Sequence, residues 1–466
     1  MQSGPRRVAA AAGIRVLNQA REVAVVCSFL LADEQFIAAI ERAAARGVRV
    51  YLLVAAEGRL LSEPPEHWSG RSDNWKREVT DGFKKTLRRL GGHTLIRAGD
   101  SFHAKVVIAD PDTTPAGVLY TANLTKEALE RNQELAVSLA AGQVRDVMAL
   151  LRWGFWELAR QEILEPNADT LGAISPLGQI EHPLLEHVLC TTPASRTIRE
   201  SLLAAIRAEG RELEISCFGW SADHDVVGAL IERAIAGVRV TAFARPRASS
   251  MPALLKLARA GATVLGFDHL HAKALRTASG ASILMTANLQ QHGMDEGFEL
   301  GVALNEGDAE ALKAVFSEWR HAAEWELLAE PTLGRAVGSV QVFENNRLVE
   351  GNIEDGGVVD HGRVEIASVE LLARAVPEAP GPLPRARSVT IRAEFVPPVL
   401  PHGAKELLQT VNDGVGGTRT RSYSPRAYKH GGRTLIAIDN ITELDAAVDL
   451  KHLLKADAIV FGGAHQ

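Results

Sequence analysis

VAVVCSFLLADEQFIAAIERAAARGVRVYLLV at residues 23–54 and LEISCFGWSADHDVVGALIERAIAGVRVTAFA at residues 213–244 follow one pattern. Each begins with an apolar run that carries a cysteine, and an acidic residue (Asp33 or Asp223) then precedes an Ile-Glu-Arg-Ala segment. Gly-Val-Arg-Val opens a second apolar run in both. Short continuous apolar runs are typical of buried strands, and a 3.6-residue apolar spacing is typical of a helix. Each stretch therefore predicts a β-α-β unit with parallel strands.

A second block follows each unit in the same order. The first copy reads FHAKVVIAD (102–110), VLYTANLT (118–125) and NQELAVSL (132–139), and the second reads LHAKALRTA (270–278), ILMTANLQ (283–290) and GFELGVAL (297–304). Such self-similarity identifies an internal duplication. The spacing between the two blocks is longer in the first copy, so we place an insertion there, at about Arg59 to Gly91.

The duplication divides the chain into three parts. We predict a first repeat over residues 1–165, a second over residues 166–332 and an accessory domain over residues 333–466. Residues 166–178 are rich in turn residues and read as a connector. The last part has short β-type runs (339–344, 388–395 and 434–438) and proline clusters (377–384 and 397–401), which favour a small β-rich or α+β domain.

Composition excludes several classes of protein. The 466 residues carry a net charge of −6, which argues against a uniformly basic nucleic-acid-coating protein but leaves a local basic cleft open. No apolar run is long enough for a transmembrane helix, so we expect no stable membrane insertion. We read no signal peptide at the N-terminus and expect a cytoplasmic protein. The three cysteines fit no zinc motif, and buried free thiols are the expected state of Cys27 and Cys217.

Five polar residues occur at matched positions of both copies. Only 12 of the 51 cationic side chains are lysine, so a lysine retained twice is informative. Histidine and lysine stand two apart, as do threonine and asparagine, which puts each pair on one face of a strand. Polar groups within apolar strands need a partner, and an anion shared by both copies would supply it. The matched sets are His103, Lys105, Thr121, Asn123 and Glu134, and His271, Lys273, Thr286, Asn288 and Glu299.

These residue types suit phosphoryl chemistry. The lysines, asparagines and threonine hydroxyls can donate to phosphoryl oxygens, and preorganised donors of this kind stabilise a transition state. One imidazole can attack phosphorus as a nucleophile. The other can protonate the leaving oxygen. We expect each glutamate to hold the second ring nitrogen of its own repeat's histidine, as the carboxylate of a catalytic triad does.

The constellation resembles the phospholipase D superfamily, whose signature is His-x-Lys-x4-Asp followed by Gly-Ser-x-Asn. His103, Lys105 and Asp110 match the first part fully, whereas Ala278 stands where the second copy should have the aspartate. Tyr120 and Met285 replace the usual glycine. The resemblance covers roughly residues 20–320. Because only the first motif is complete, the resemblance favours His103 as the nucleophile.

The resemblance implies a fold and a mechanism. The fold is α/β, with two phospholipase D-like repeats, each a mixed sheet flanked by helices, related by a pseudo-twofold axis. Both histidines would share one cleft, and the reaction would pass through a phosphohistidine without a metal or another cofactor. Thr121, Thr286 and Asp110 would support phosphate binding. A zinc site is not expected, because a protonated lysine does not ligate metal and no cysteine or histidine set has ligand spacing.

The roles of Asp110 and of three aromatic residues have two possible interpretations each. Asp110 precedes a proline and could be an ordinary turn residue. Phe29, Phe218 and Trp220 follow the first strand of each copy and could line the cleft, although core packing is the reading that we prefer.

The substrate is less constrained than the chemistry. Nucleic acid is the partner that we expect, because basic clusters would neutralise phosphates and adjacent aromatics would stack on bases. A phospholipase or phosphatidyl-transferase is the first alternative, and a non-catalytic nucleic-acid-binding module is the second. A protein partner could dock on the C-terminal domain. The clusters are Lys76, Arg77, Lys84, Lys85, Arg88, Arg89 and Arg97; Arg245, Arg247, Lys256 and Arg259; and Arg419, Arg421, Arg426, Lys429 and Arg433 with Tyr423 and Tyr428.

Overall fold

A computed structural model describes residues 1–4, 7–61, 75–245, 249–267, 269–323 and 325–328, together with seven strands between residues 365 and 462. The chain forms two compact units. The first comprises Met1–Gly219, His224–Ala229 and His269–Val315, and the second comprises Trp220–Asp223, Leu230–Asp268 and Phe316–Gln466. Every matched site residue therefore belongs to the first unit. The repeat boundaries at residues 165 and 332 stay a prediction.

The elements alternate between strands and helices up to residue 328. The strands are β1 (Gln2–Ser3), β2 (Val23–Ser28), β3 (Arg49–Ala55), β4 (Leu95–Gly99), β5 (Val106–Ala109), β6 (Ala116–Tyr120), β7 (Leu135–Ser138), β8 (Gln161–Glu162), β9 (Gly172–Ala173), β10 (Leu189–Thr192), β11 (Ser195–Arg196), β12 (Glu212–Cys217), β13 (Arg239–Ala244), β14 (Thr263–Gly266), β15 (Ala274–Thr277), β16 (Ser282–Met285), β17 (Glu299–Ala303) and β18 (Trp325–Leu328). The helices are α1 (Ala10–Gln19), α2 (Glu34–Ala45), α3 (Glu57–Leu60), α4 (Trp75–Leu90), α5 (Lys126–Arg131), α6 (Ala141–Trp153), α7 (Thr197–Ala208), α8 (Asp225–Ile235), α9 (Met251–Arg259) and α10 (Glu306–Ala322), with π-helical turns at Gly154–Leu158 and His292–Glu296.

The first sheet has nine strands in the order β1-β7-β6-β5-β2-β3-β4-β8-β9. Strands β2, β3 and β4 are parallel, and β2 pairs with β3 from Val23 opposite Arg49 to Ser28 opposite Val54. Strands β5, β6 and β7 extend the sheet in antiparallel fashion from the other edge of β2. The first β-α-β unit is therefore confirmed, within a mixed sheet.

The second repeat contributes equivalent strands. In the first unit, β10, β17, β16, β15 and β12 follow one another with antiparallel pairing. In the second unit, β13 and β14 are parallel, and β14 pairs antiparallel with β18. The predicted α/β fold of two repeats with mixed sheets and flanking helices is confirmed.

The acidic residue before the helix of the first β-α-β unit caps that helix. Asp33 is the N-cap of α2, and its side chain accepts hydrogen bonds from the backbone N–H groups of Gln35 and Phe36. Such capping satisfies helix donors that otherwise have no partner. In the second repeat, α8 begins two residues after Asp223, at Asp225, and the Asp223 side chain is almost fully exposed.

A tyrosine in place of the motif glycine packs into the core of the first repeat. Tyr120 is fully buried, and its ring lies edge-on to Phe36 at 6.2 Å. Helix α1 accommodates the hydroxyl with Gly13, where a Cβ would come within 2.1 Å of the Tyr120 oxygen. The substitution of glycine by tyrosine is therefore matched by a glycine on the neighbouring helix.

The insertion of the first repeat lies where it was predicted. It contains α3, residues 62–74, which are outside the described residues, and α4, which has 16 residues against nine in the equivalent α9. Helix α4 packs on α2, and Thr86 donates to the backbone oxygen of Leu31. The insertion is thus anchored on the first β-α-β unit.

The C-terminal third contains strands, as predicted. They are β19 (Glu365–Leu372), β20 (Val389–Val396), β21 (Leu407–Asn412), β22 (Thr418–Tyr423), β23 (Arg426–His430), β24 (Arg433–Ile441) and β25 (Ile459–Gly462). Strands β19, β20, β24 and β23 form one antiparallel sheet, and β21 pairs with β22. The predicted run at 339–344 and both proline clusters lie outside the described residues.

The cysteines are buried and free, as expected. Within the described part of the chain, no helix combines the length and apolarity needed to cross a bilayer. A cytoplasmic location stays a prediction.

Candidate active site

Two reciprocal backbone bridges bring the repeats together. Phe102 pairs with Phe298, and Gln133 pairs with Leu270, each as an isolated parallel bridge. The N–H groups of His103 and Ala104 donate to the Phe298 oxygen, at 3.1 and 2.9 Å. The second repeat mirrors this contact, because the N–H groups of residues 271 and 272 donate to the Gln133 oxygen, at 3.1 and 3.0 Å. We call this pair of bridges the clasp. It joins the segment before each histidine to the segment before the other repeat's glutamate.

The clasp exchanges the glutamates between the repeats. Nδ1 of His103 lies 2.6 Å from Oε1 of Glu299, and Nδ1 of His271 lies 2.8 Å from Oε1 of Glu134. The prediction that each glutamate holds its own repeat's histidine is therefore wrong. The main-chain bridges explain the exchange, because each glutamate directly follows a residue that is paired with the opposite repeat. A carboxylate on Nδ1 fixes the tautomer and leaves Nε2 for chemistry.

The two threonines orient the glutamates. Thr121 Oγ1 donates to Glu134 Oε2 at 2.6 Å, and Thr286 Oγ1 donates to Glu299 Oε2. Both hydroxyls also accept the backbone N–H of the residue after the glutamate. The prediction that they donate to phosphate is wrong in this structure, because their protons bond to the carboxylates. Each threonine therefore orients a glutamate, and that glutamate hydrogen bonds to a histidine.

The two lysines are fully buried, and each folds back on its own histidine residue. Nζ of Lys105 donates to the backbone oxygen of His103, and Nζ of Lys273 donates to that of His271. Nζ of Lys273 also lies 2.8 Å from Nε2 of His271 and 5.5 Å from the centroid of the Phe218 ring. Two ammonium groups at the site would attract an anion.

Asn288 presents its amide nitrogen as a donor. Its Oδ1 accepts from the Gly219 N–H at 3.2 Å and from the Cys217 thiol at 3.7 Å, which orients Nδ2 away from this turn. Glycines make the arrangement possible, since a Cβ at Gly293 would come within 2.3 Å of the Asn288 backbone oxygen. The equivalent Asn123 is buried. Both asparagines thus lie in the repeats' matched positions, beside the strands that carry the motif.

An aromatic ring lies edge-on to each imidazole. The ring centroids of Phe29 and His103 are 5.2 Å apart, and those of Phe218 and His271 are 4.8 Å apart. Phe218 is also buried in the core, and Phe29 packs against the core of the first repeat. Core packing, the interpretation preferred from the sequence, is therefore confirmed for both phenylalanines and for Trp220, which is fully buried in the second unit. The aromatic positions differ by one between the repeats (29 aligns with 219), so the pattern could not be found by aligning them.

Burial and neighbouring charge fix the protonation of one histidine. Burial lowers the pKa of His103 to about 4, and Glu299 opposes this shift, whereas the ammonium groups of Lys105 and Lys273 add to it. Burial raises the pKa of Glu299, but His103, Lys105 and the Thr286 hydroxyl outweigh burial and lower it to about 2. His103 is therefore neutral and Glu299 ionised at neutral pH. Because Lys273 acts on His103 from the other repeat, both motifs contribute to one electrostatic site.

Asp110 is structural, and the prediction that it supports phosphate binding is wrong. Its carboxylate accepts the backbone N–H groups of residues 21, 22 and 23, at 2.8, 2.9 and 3.0 Å. It thereby ties the end of β5 to the start of β2. Its backbone has a positive φ of 47°, a conformation in which aspartate is among the more tolerant residues.

Glu209 replaces the missing aspartate of the second repeat. It accepts from the backbone of Arg211 at 2.7 Å and of Glu212 at 3.4 Å, the residues equivalent to 21 and 22. Its other oxygen accepts from the N–H of Ser279 at 2.7 Å, next to Ala278. Burial raises the pKa of Glu209, but these donors outweigh it and lower that pKa to about 2. The signal in the sequence is a glutamate at the position where the first repeat has Gln19.

The basic cluster on α4 is balanced by acidic side chains. Lys85 pairs with Glu34 at 2.7 Å, and Arg89 pairs with Glu34 and Glu41. Arg88 pairs with Asp169, and the buried Arg97 pairs with Glu162. These acidic partners come from α2 and from residues far along the chain, so the local sequence around the cluster does not reveal them. This cluster does not form an uncompensated basic surface in the described structure.

The residues of the second basic cluster differ in their burial and in their ion pairing. Lys256 pairs with Asp223 at 3.3 Å, and Arg259 is exposed. Arg245 is partly buried, and Arg247 lies outside the described residues.

Within the described residues, no group of three or more His, Cys, Asp or Glu side chains is arranged to hold a metal ion.

The arrangement can carry out phosphoryl transfer. It combines two imidazoles with their Nδ1 atoms on carboxylates, two ammonium groups and a directed amide donor in one unit. Nucleophile, proton donor and charge stabilisation are the parts that such a reaction needs.

One family model matches the chain. It is described as "Cardiolipin synthase, PLD-like domain" and covers residues 14–156, which include His103, Lys105, Asn123 and Glu134. The search of curated proteins finds no match. The family match confirms the resemblance drawn from the motifs.

Solved structures similar to the chain are distant in sequence. Polyphosphate kinase from Porphyromonas gingivalis is 15% identical over 66% of this chain and 45% of that one, with a TM-score of 0.43. Phosphatidylserine synthase from Haemophilus influenzae Rd KW20 is 10% identical over 66% and 82%, with a TM-score of 0.47. Nuc from Salmonella typhimurium, described as a phospholipase D family member, is 16% identical over 28% and 91%, with a TM-score of 0.25. The alignment thus spans less than half of the polyphosphate kinase.

Proposed function

We propose that the chain, whose residues 14–156 match a phospholipase D-like family model, is a phosphodiesterase of that superfamily that works through a phosphohistidine, without a metal ion. The crossed pairing of His103 with Glu299 and of His271 with Glu134 carries this proposal. Each imidazole has its Nδ1 hydrogen bonded to a carboxylate, so each can use Nε2 on phosphorus or on a leaving oxygen.

The reaction has two steps. One imidazole Nε2 attacks phosphorus, the bond to the leaving oxygen breaks, and the other imidazole supplies that oxygen with a proton. Water then attacks the phosphohistidine and gives its proton back to the second imidazole. Lys105, Lys273 and the amide nitrogen of Asn288 stabilise the charge on the non-bridging oxygens, and Asn123 is proposed to do the same.

Nucleic acid is the substrate that we propose. Arg419, Arg421 and Tyr423 occupy alternate positions of β22, and Arg426 and Tyr428 do so on the neighbouring segment β23. Alternation of arginine and tyrosine along a strand suits a chain of phosphates with stackable bases. The ion pairs on α4 mean that this support comes from the C-terminal strands and not from the first cluster.

The test measures cleavage of labelled single-stranded DNA and RNA in EDTA, beside vesicles of phosphatidylcholine and phosphatidylglycerol. We expect nucleic acid to be cut by the wild type and rates to fall by about 10³-fold or more in His103→Asn and His271→Asn, because the nucleophile or the acid is lost. His93→Asn, an exposed histidine, is the matched control and should keep full activity.

Three results would change this assignment. Turnover of lipid but not of nucleic acid would move the protein to the lipid-acting alternative. Binding of DNA or RNA without turnover, unaffected by His103→Asn, would favour the non-catalytic module. Activity that is lost in EDTA and restored by a divalent cation would contradict the metal-independent mechanism.

A further inference from the structure

An arginine of the second repeat lies between two carboxylates. Arg199 of α7 donates to Oδ2 of Asp225, the first residue of α8, from Nε at 3.0 Å and from Nη2 at 2.6 Å. Its Nη1 donates to Oδ1 of Asp295 at 2.6 Å. Nε2 of His224 lies 3.1 Å from the other oxygen of Asp295, and Nε of the more exposed Arg196 lies 3.6 Å from Oδ1. We call Arg199, His224, Asp225 and Asp295 the arginine anchor.

The arginine anchor holds the turn that joins Asn288 to Glu299. Asp295 belongs to the π-helical turn His292–Glu296, which lies between these two residues in the chain. A main-chain hydrogen bond of 2.7 Å from Gly297 to the first residue of the turn closes it. The turn packs so closely on the Asn288 backbone that only a glycine fits at the contact. A displacement of Asp295 should therefore be passed to Asn288 and to Glu299.

The position of Glu299 affects the histidine of the first repeat. Oε1 of Glu299 lies 2.6 Å from Nδ1 of His103, and the preceding Phe298 oxygen accepts the backbone N–H of His103. Hydrogen bonds weaken steeply once distance or angle is lost. A misplacement of about 1 Å at a reacting group can cost about 10²-fold in rate. The arginine anchor of the second repeat can thus control the orientation of His103.

The first repeat has the same arrangement with weaker contacts. Arg7 donates to both oxygens of Asp33, the N-cap of α2, at 2.7 and 2.8 Å, and lies 3.5 Å from Glu130. Glu130 precedes Glu134 by four residues, the spacing that separates the anchor aspartate from the glutamate of the second repeat. The side chain of Glu130 is 37% exposed, against 17% for Asp295. A bridge that recurs before both glutamates argues against an accidental surface ion pair.

We infer that Asp295 is a positioning residue for the proposed reaction and that Arg199 and His224 hold it in place. This inference rests on the proposed function. The ion pairs of Asp295 fix the turn, and the turn fixes the amide of Asn288 and the carboxylate of Glu299. The substrate contacts neither Asp295 nor Arg199. A change in the arginine anchor of the second repeat should therefore be felt at the histidine of the first.

Cleavage of labelled single-stranded DNA in EDTA tests the effect on the reaction. Asp295→Asn keeps the size of the side chain and removes its charge, and we expect the rate to fall by about tenfold to 10²-fold as Glu299 is displaced. Asp295→Glu restores a carboxylate, as the first repeat has at position 130, and should recover most of the loss. The double variant Arg199→Gln with Asp295→Asn should be no slower than Arg199→Gln alone, because both residues act through one contact.

The imidazole resonances separate positioning from a loss of stability. In ¹⁵N spectra, the Nδ1–H resonance of His103 should shift in Asp295→Asn and in Arg199→Gln, whereas that of His271 should stay in place. Glu130→Gln should show the reverse pattern with a smaller shift, because its ion pair is longer and more exposed. Arg199→Gln supplies both measurements if Asp295→Asn does not fold.

Glu209→Gln is the matched control. It neutralises another buried carboxylate of the second repeat, which accepts hydrogen bonds from the main chain of residues 211, 212 and 279 and not from the turn. We expect it to lower the melting temperature and to leave both the cleavage rate and the His103 resonance unchanged. It thereby shows what a loss of stability alone does to the two readouts.

The outcomes distinguish the inference from the proposed function. An Asp295→Asn variant with wild-type cleavage and an unshifted His103 resonance would overturn the inference while the phosphodiesterase stands. Equal losses of rate in Asp295→Asn and Glu209→Gln would overturn it too, because the arginine anchor would then act only through folding. A wild type that cleaves no nucleic acid would contradict the proposed function, and a selective shift of His103 in Asp295→Asn would still support the placement of Glu299 by the arginine anchor.

Discussion

At the scale of single residues, Nδ1 of His103 hydrogen bonds to Glu299 and Nδ1 of His271 hydrogen bonds to Glu134, so each pair joins the two repeats. The matched spacing singled out His103, Lys105 and Glu134 with their counterparts, because residue type and order survive duplication. It could not show which glutamate meets which histidine, since own-repeat and crossed pairing leave the same spacing. The spacing could not show the roles of Thr121 and Thr286 for a similar reason. A hydroxyl can face a ligand or a neighbouring carboxylate, and only the fold decides between them.

The depressed pKa of His103 predicts a loss of stability in acid. Its folded pKa of about 4 lies below the ordinary value of 6.5, so between these values the unfolded chain binds a proton that the native state does not. The contribution of His103 to the free energy of unfolding is therefore fully present above about pH 6.5. It falls as the pH drops towards 4, by at most about 1.4 kcal/mol per pH unit for one proton. Glu299, with a lowered pKa of about 2, contributes only below about pH 4.5.

Urea unfolding of the wild type and of His103→Asn from pH 7.5 to 4.5 measures this effect. We expect the variant to show a shallower dependence of unfolding free energy on pH across that window. His93→Asn, which removes an exposed histidine, should follow the wild type. Equal slopes in wild type and His103→Asn would show that burial does not hold this imidazole neutral.

At the scale of elements, periodicity predicted the β-α-β units because their strands and helices bury different apolar patterns. That Glu209 takes the place of Asp110 in the second repeat could not be predicted. The two carboxylates accept hydrogen bonds from equivalent backbone N–H groups, but they lie at opposite ends of the strand pair in the sequence. In the first repeat the carboxylate follows β5, whereas in the second it precedes β12. The backbone donors at the start of the central strand are what both repeats preserve.

Glu209→Gln should lower the free energy of unfolding by about 1–3 kcal/mol, because the amide replaces a buried, charged acceptor of three backbone N–H groups. Asp110→Asn should have a similar cost in the first repeat. Adding Ala278→Asp to Glu209→Gln should recover part of the loss by restoring the motif carboxylate. Recovery should be partial, since Asp110 has a positive φ and Ala278 does not.

Chemical denaturation of the single and double variants measures these differences. Ala278→Asp in the wild-type background should destabilise, because two carboxylates would then compete for one set of donors. Two results would show that Glu209 does not replace the missing aspartate. One is a Glu209→Gln variant with the same free energy of unfolding as the wild type. The other is a double variant that loses more unfolding free energy than the two single variants together.

At the scale of the whole chain, the duplication supplied one site and not two. Neither repeat holds a complete histidine and glutamate pair, because the clasp delivers each carboxylate to the opposite motif. The predicted convergence of both motifs agrees with this arrangement. The sequence did not reveal the clasp, since it consists of main-chain hydrogen bonds that no particular side chain specifies. Each histidine therefore depends on the opposite repeat for the carboxylate that holds its Nδ1 atom.

The crossed pairing predicts a crossed pattern of coupling between substitutions. Residues that act through one hydrogen bond give non-additive effects, whereas independent residues add. The rate loss of His103→Asn with Glu299→Gln should therefore be close to that of His103→Asn alone, and His271→Asn should mask Glu134→Gln in the same way. Histidine ¹⁵N spectra offer a second readout that needs no turnover, because Glu299→Gln should perturb the Nδ1–H resonance of His103 while Glu134→Gln perturbs that of His271. If His103 instead responded to Glu134→Gln and was indifferent to Glu299→Gln, the repeats would work as separate pairs, and the dependence of each motif on the other would be lost.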